Sequence, residues 1–284
     1  MLFPFPAMSE ASDMNDPQTF DTPTQHDRHG QWPQAESIED FRHNFAIVRG
    51  RIAAACARVG RHPDSVRLLP VSKTKPESII RLCHAAGARE FGENKPQEAY
   101  TKWQALSDLP DIRWSVIGHL QTNKAKRVAT CAAEFQALDS LRVAEALERH
   151  LQALGRGLDV FVQVNTSDEA SKFGLPPDEV EGFLRALTAY PALRVRGLMT
   201  LAILSGEAAP VRRCFVRLRT LRDRLRDTLP AGVRVDELSM GMSGDYEIAI
   251  EEGATVVRVG QALFGARATP DSHYWPDAAG ERSD

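Results

Sequence analysis

The sequence predicts a (β/α)8 barrel of the TIM type, an α/β fold built as one domain with an extra helix in front. Three observations predict it. Short apolar runs that read as strands alternate with amphipathic segments that read as helices, the pattern of a parallel sheet. Eight such units fill about 235 residues, which suits a closed barrel better than the competing topology, an open doubly wound sheet with a separate lobe. The residues able to do chemistry follow the apolar runs, at the strand ends where parallel α/β proteins hold ligands.

The elements follow in order. Ser37, then Ile38, Phe41, Phe45, Ile47, Val48, Ile52 and Ala55, predicts an amphipathic helix to about residue 59, with Gly60 at its C-cap. Residues 66–72 form the first strand, although Pro70 inside it has no N–H to give a ladder. Further strands are predicted over 88–91, 112–117, 135–138, 158–164, 193–201, 233–240 and 255–259. Helices are predicted over 76–86, 96–106, 121–131, 140–154, 177–189, 210–229 and 245–252, with Ser140 as a cap. Gln261–Phe264 begins a last turn.

Composition narrows the class. With 26% charged and 43% hydrophobic residues and a formal charge of −3, the chain has the balance of a soluble globular protein, and no nucleic-acid or membrane partner is expected. The arginines clustered over 212–226 share a helical pattern with Leu218, Leu221 and Leu225 and read as a solvated helix face. Cys56, Cys83, Cys131 and Cys214 are isolated, with no CxxC, so free thiols in a reducing cytosol are expected and no metal site. Residues 1–34 open on a short apolar stretch without the basic start of a signal peptide and continue in polar composition, which reads as a disordered tail. The barrel is placed at 35–268, and 269–284 read as a second loose end.

The organising stretch is Val66-Arg67-Leu68-Leu69-Pro70-Val71-Ser72-Lys73-Thr74-Lys75-Pro76, a strand that breaks into a lysine-bearing loop. A sheltered strand-end lysine can attack an aldehyde and form a Schiff base, although most such lysines are plain surface charges. Parity does not separate Lys73 from Lys75; Lys73 is nearer the strand end. Late in the chain, Gly241-Met242-Ser243-Gly244 and Gly260-Gln261 each precede a helix, after the seventh and eighth strands, where barrels often hold phosphate. Lysine on one side and a phosphate nest on the other suit pyridoxal 5′-phosphate. Arg258, two residues before Gly260, is placed to face the pyridine nitrogen and keep it unprotonated.

These residues resemble the pyridoxal phosphate homeostasis protein family, whose barrel is similar to the N-terminal domain of alanine racemases. The resemblance runs from about residue 40 to about 267. Its motifs are the Leu69–Pro76 stretch, Phe91-Gly92-Glu93-Asn94, Trp114-Ser115-Val116-Ile117-Gly118-His119-Leu120-Gln121-Thr122-Asn123-Lys124, Ser239-Met240-Gly241-Met242-Ser243 and Val257-Arg258-Val259-Gly260-Gln261-Ala262-Leu263-Phe264-Gly265. It implies that Lys73 is the Schiff-base lysine, that Asn94 lies near the ring, that Ser243, Gly260 and Gln261 hold the phosphate, and that Arg258 faces the ring nitrogen. It also implies a cytoplasmic monomer that buffers or delivers the cofactor, in transient contact with enzymes that depend on it, with no catalytic residue or reaction of its own. The sequence departs from the family's usual pattern at Ser115, where a histidine is common, at Lys95, and at Gln261, which offers no hydroxyl.

Two other functions compete. A racemase on the same barrel needs a base on each face of the substrate carbon. Of Tyr100, Tyr190, Tyr246 and Tyr274, none falls at a predicted strand end, though Tyr246 follows the Ser243 turn. The other is a barrel for a different phosphorylated metabolite, with Lys73 a simple charge. His119 and Asp139 read as structural contacts of the following helices, and Lys172 as a loop charge.

Overall fold

The computed structural model describes residues 32–266 except 168, 170, 171 and 231; apart from 32–34, both expected tails lie outside the described residues. The first helix, α1 (Ile38–Arg58), starts on a capping box. Ser37 Oγ accepts from Asp40 N at 3.1 Å, and Asp40 Oδ2 accepts from Ser37 N at 2.9 Å. These bonds hold the Asp40 carboxyl below its usual range. Gly60, at φ 67°, turns the chain out of the helix.

Eight parallel strands follow: β1 (Arg67–Pro70), β2 (Glu90–Glu93), β3 (Arg113–Val116), β4 (Ala132–Leu138), β5 (Leu158–Gln163), β6 (Leu193–Met199), β7 (Glu237–Met242) and β8 (Val256–Val259). Each pairs with its sequence neighbour from β2 to β8, and β8 pairs with β1. The ring closes between β1 and β2 on a single bridge, Val71 to Gly92, with Ser72 N donating to Gly92 O at 3.0 Å. The outer helices are α2 (Glu77–Ala85), α3 (Pro96–Ala105), α4 (Ala125–Cys131), α5 (Leu141–Ala153), α6 (Val180–Ala186), α7 (Ala208–Leu225), α8 (Tyr246–Glu251) and α9 (Gln261–Phe264). The predicted (β/α)8 barrel with a leading helix is therefore the observed fold.

The seam explains Pro70. Arg67 N and Val71 N both donate toward β8. By alternation, the Pro70 nitrogen faces β2, where the ladder begins only at Val71, so no bond is lost.

Three expectations shift. β4 starts at Ala132 rather than 135. β7 runs over Glu237–Met242 rather than 233–240, because its ladder to β6 begins at Gly197 opposite Glu237. Ser140 occupies the N-cap of α5 but its side chain makes no capping bond.

α1 packs its apolar face, Phe41, Phe45, Val48 and Ile52, across α8 and α9; the Phe41 ring meets Phe264 edge-on at 5.3 Å. The short α8 is held from both sides by charge. Arg51 and Arg58 of α1 reach Glu247 and Glu251, and Arg212 and Arg219 of α7 reach Glu251 and Glu252. Part of the arginine cluster is thus an ion-pair lattice, not only a solvated face. All four cysteines are buried free thiols, and burial pushes the Cys131 thiol up to about 12. Among the described residues no helix is long and apolar enough to cross a membrane, and no acidic, histidine or cysteine cluster suits a metal.

Candidate functional site

At the C-terminal mouth of the barrel, β1 gives way to the lysine loop. Lys75 N donates to Ser72 O at 3.0 Å, closing a tight turn over Lys73 and Thr74. Thr74 sits at φ 67°, a left-handed conformation costly for a β-branched residue. That residue ends the extended geometry, so parity no longer links Lys73 to Lys75. The two lysines part there. Lys75 Nζ donates to Gln34 Oε1 at 2.7 Å, toward the segment before α1. Lys73, half-buried, follows β1 at the mouth and lines a narrow cleft with Val71, Lys75, Gly260, Gln261 and Phe264.

The other wall of that cleft is the end of β8. Ser243 Oγ accepts from Gly260 N at 3.2 Å and from Ala262 N at 3.4 Å, so one hydroxyl is held over the first turn of α9. Gly260 is packed close: a Cβ there would lie 3.3 Å from Val71 O. Gly241, at φ 95°, lets β7 pass beneath α8, where a Cβ would meet Tyr246 Cα at 2.8 Å. This close packing fixes the height at which the Ser243 turn leaves the strand.

Behind the cleft Arg258 is fully buried in the barrel. Its Nη1 donates to Ser239 Oγ at 2.7 Å and its Nη2 to Thr200 O at 2.8 Å. Among the described residues no carboxylate forms an ion pair with it. Burial draws its pKa down to about 10, against the opposing pull of Asp245, and the guanidinium stays charged at neutral pH. From Arg258 a chain of hydrogen bonds runs down the barrel. Ser239 Oγ donates to Gln136 Oε1 at 2.7 Å, and Gln136 Nε2 donates to Glu134 Oε1 at 2.6 Å. Glu134 also accepts from Ser115 Oγ at 2.9 Å and pairs with Arg67, which pairs with Glu90.

The remaining candidates separate. Asn94 is exposed at the end of β2, adjacent to the Lys73 strand, and lies over Gly118, where a Cβ would meet Asn94 O at 2.1 Å and Oδ1 at 2.4 Å. It does not line the Lys73 cleft. His119 stacks on Phe173 with ring centroids 4.0 Å apart, and its Nδ1 lies 3.8 Å from Asp139 Oδ2. Asp139, expected to serve its own helix, instead accepts from the Gly174 backbone; burial raises its pKa and His119 opposes the rise. Lys172 pairs with Glu169 and donates to Ala202 O at 3.1 Å, so it ties the loop after β5 to the segment after β6.

Residues 38–268 match the family model described as alanine racemase, N-terminal domain. A protein of Pseudomonas aeruginosa named pyridoxal phosphate homeostasis protein is 45% identical over 224 residues, spanning 79% of this chain and 94% of that one. The chain belongs to the pyridoxal phosphate homeostasis protein family. A protein of the same name from Escherichia coli is 41% identical over 232 residues, 81% of this chain and 98% of its own. PipY of Synechococcus elongatus, solved with PLP bound, superposes with a TM-score of 0.67 at 40% identity, covering 75% of this chain and all of that one. An alanine racemase of Clostridium difficile superposes at 0.64 with 14% identity, over 83% of this chain and 59% of its own, a likeness of fold alone.

Within this family member, two groups of polar residues escaped the sequence reading. One is the interior chain through Gln136, Glu134 and Arg67. Its signal was present: Glu134 and Gln136 alternate with apolar neighbours in Ala132–Leu138, as inward-facing residues do. The other is Lys102, on the outer helix α3 yet only 5% exposed. It donates to Ser72 O, Glu93 Oε1 and Glu98 Oε1 at 2.9, 2.7 and 2.7 Å. One lysine on a helix carries no sequence mark of burial.

Proposed function

We propose that this chain binds pyridoxal 5′-phosphate at the barrel mouth and serves its homeostasis, buffering or delivering it as a cytoplasmic monomer to enzymes that depend on it. The names of its relatives support the homeostasis reading, and the PLP-bound PipY structure, 40% identical, supports the ligand. Four buried free thiols suit a reducing compartment.

The residues present fit the group. It supplies an aldehyde that condenses with an amine, with loss of water, and a phosphate dianion that seeks N–H and hydroxyl donors. Lys73 is the anchor amine. Ser243, Gly260 and Gln261 cradle the phosphate, the Ser243 hydroxyl already poised over the amides of the α9 turn. Arg258 presents a permanent charge from beneath, which disfavours a proton on any ring nitrogen set against it. Asn94, outside the cleft at the end of the neighbouring strand, would reach the ring only from the rim. The single observation that carries the reading is that Lys73, Gly260 and Gln261 line one cleft, although Lys73 and Gly260 come from opposite ends of the barrel sequence.

The test is borohydride trapping. Wild type and Lys73→Ala are incubated with pyridoxal 5′-phosphate, reduced, digested and mapped by mass. The label is expected on Lys73 and absent from the variant. Label on Lys75, or equal labelling of both proteins, would overturn the assignment.

A further inference from the structure

A buried triad lies behind the lysine turn. Lys102, on α3, is surrounded by Glu93 of β2, Glu98 of its own helix and the carbonyl of Ser72. Glu93 is fully buried; its Oε1 also accepts from Ser72 Oγ at 2.6 Å, while its Oε2 takes no hydrogen bond among the described residues. Glu98 Oε1 accepts from Thr74 N at 2.7 Å. Three of these bonds, one from each member of the triad, end on a residue flanking Lys73. Ser72 is held at its hydroxyl by Glu93, at its carbonyl by Lys102 and at its amide by Gly92 O. Thr74 is held at its amide by Glu98, in the left-handed conformation that turns the chain after Lys73.

Burying the Glu93 and Lys102 charges costs several kcal/mol each before their mutual attraction is counted, and an apolar cluster of equal volume is often as stable. Stability alone therefore does not account for the triad. Its bonds to Ser72 and Thr74 bracket one residue, Lys73. We propose that Glu93, Glu98 and Lys102 are positioning residues for Lys73, locking the backbone on either side of it so that its amine is presented to an aldehyde at the mouth. The proposal rests on the assignment of Lys73 as anchor. In the attachment, the Lys73 nitrogen bonds to the aldehyde carbon and the aldehyde oxygen leaves as water, so the reaction depends on where that nitrogen is held. Pyridoxine 5′-phosphate, which carries an alcohol in place of the aldehyde, shares every contact except this bond.

The experiment compares dissociation constants for pyridoxal 5′-phosphate and pyridoxine 5′-phosphate in wild type, the charge-free pair Glu93→Gln/Lys102→Met, Glu98→Ala and Lys73→Ala. The double variant removes both buried charges together, so neither is stranded; Glu98, partly exposed, reads the Thr74 arm alone if the double variant does not fold. Loss of one charge-assisted bond to the turn is expected to weaken the aldehyde ligand by about tenfold or more, with the alcohol ligand unchanged. Equal weakening of both ligands, or unchanged affinity for the aldehyde in a folded variant, overturns the positioning role. If Lys73→Ala binds the aldehyde as tightly as wild type, it is the anchor assignment that fails instead.

Discussion

Replacing Gln136 by Met cuts the interior chain at its centre with little change of volume. Gln136 is fully buried, accepts from Ser239 Oγ at 2.7 Å and donates to Glu134 Oε1 at 2.6 Å. The substitution removes a hydrogen bond to a carboxylate, worth about 1.5–3 kcal/mol, and strands the Ser239 hydroxyl, at about 1–3 kcal/mol. The better burial of Met returns part of this, roughly 1 kcal/mol. A net loss of about 3 kcal/mol is expected, which for a domain of this size lowers Tm by about 6–12 °C. The assay is urea unfolding of ligand-free protein, because a bound ligand adds its own stabilisation. Ser115→Ala is the control: it takes one donor from Glu134 Oε1 and leaves the chain to Arg258 intact. It is expected to cost about 1 kcal/mol. Gln136→Met and Ser239→Ala share a bond, so the double variant is expected to lose less than the sum of the single losses by about 1 kcal/mol. Stability of Gln136→Met within about 0.5 kcal/mol of wild type, a change typical of an exposed site, would refute the view that the chain is a connected, satisfied network.

Burial raises the Glu93 pKa from 4.5 to about 7, with Lys102 opposing the rise and Glu98 adding to it. The folded protein then holds a proton that the unfolded chain releases, so this contribution to stability is full below pH 4.5 and is lost as pH rises toward 7. Thermal unfolding of wild type and Glu93→Gln across that window is expected to show the variant gaining on wild type as pH rises; a constant difference counts against the shift. Gly118→Ala places a Cβ 2.1 Å from Asn94 O, a backbone atom, and is expected to lower stability by about 1–3 kcal/mol. Since the backbone oxygen stays in place, Asn94→Ala should not rescue it in the same unfolding assay. Thiol titration is expected to find no fast-reacting cysteine in the native protein and four in denaturant, because all four are buried.

How much of this was legible depends on which physical signal each residue leaves. The barrel was readable because buried parallel strands are apolar runs and Gly, Pro and Asn punctuate them. β7 was misplaced because Val233-Arg234-Val235-Asp236 has strand alternation, whereas Ser239-Met240-Gly241-Met242 contains a glycine that looks like a turn. The structure uses that glycine inside the strand to let Tyr246 pack against it. Lys73, Gly260 and Gln261 were brought together correctly because strand ends of a closed barrel share one rim. Both lysines line the same cleft, and what parts their backbones is the φ of Thr74, a conformation that no residue type announces. The Lys102 triad was invisible because its contacts join β1, β2 and α3, and sequence order does not say which lysine on an outer helix turns inward.

The two buried cations are compensated differently, and the difference suits what each faces. Lys102 has two carboxylates against it, so little of its field extends beyond the triad, and its effect is mechanical. Arg258 has a hydroxyl and a carbonyl, with its nearest network carboxylate, Glu134, two hydrogen-bonding residues away. Its direct partners are neutral dipoles, and the charge is offset only from a distance by Asp245. On the proposed reading, a ring nitrogen set against this charge would stay unprotonated and draw electrons weakly. Tyr246 is buried in the helix layer with Arg51 above its ring at 5.9 Å, Tyr100 lies beside Trp103 on α3, and Tyr190 precedes β6 at the opposite end of the barrel. Racemisation needs a base on each face of the substrate carbon, so incubation of the loaded protein with an L-amino acid, followed for its D-enantiomer, separates holding the cofactor from using it.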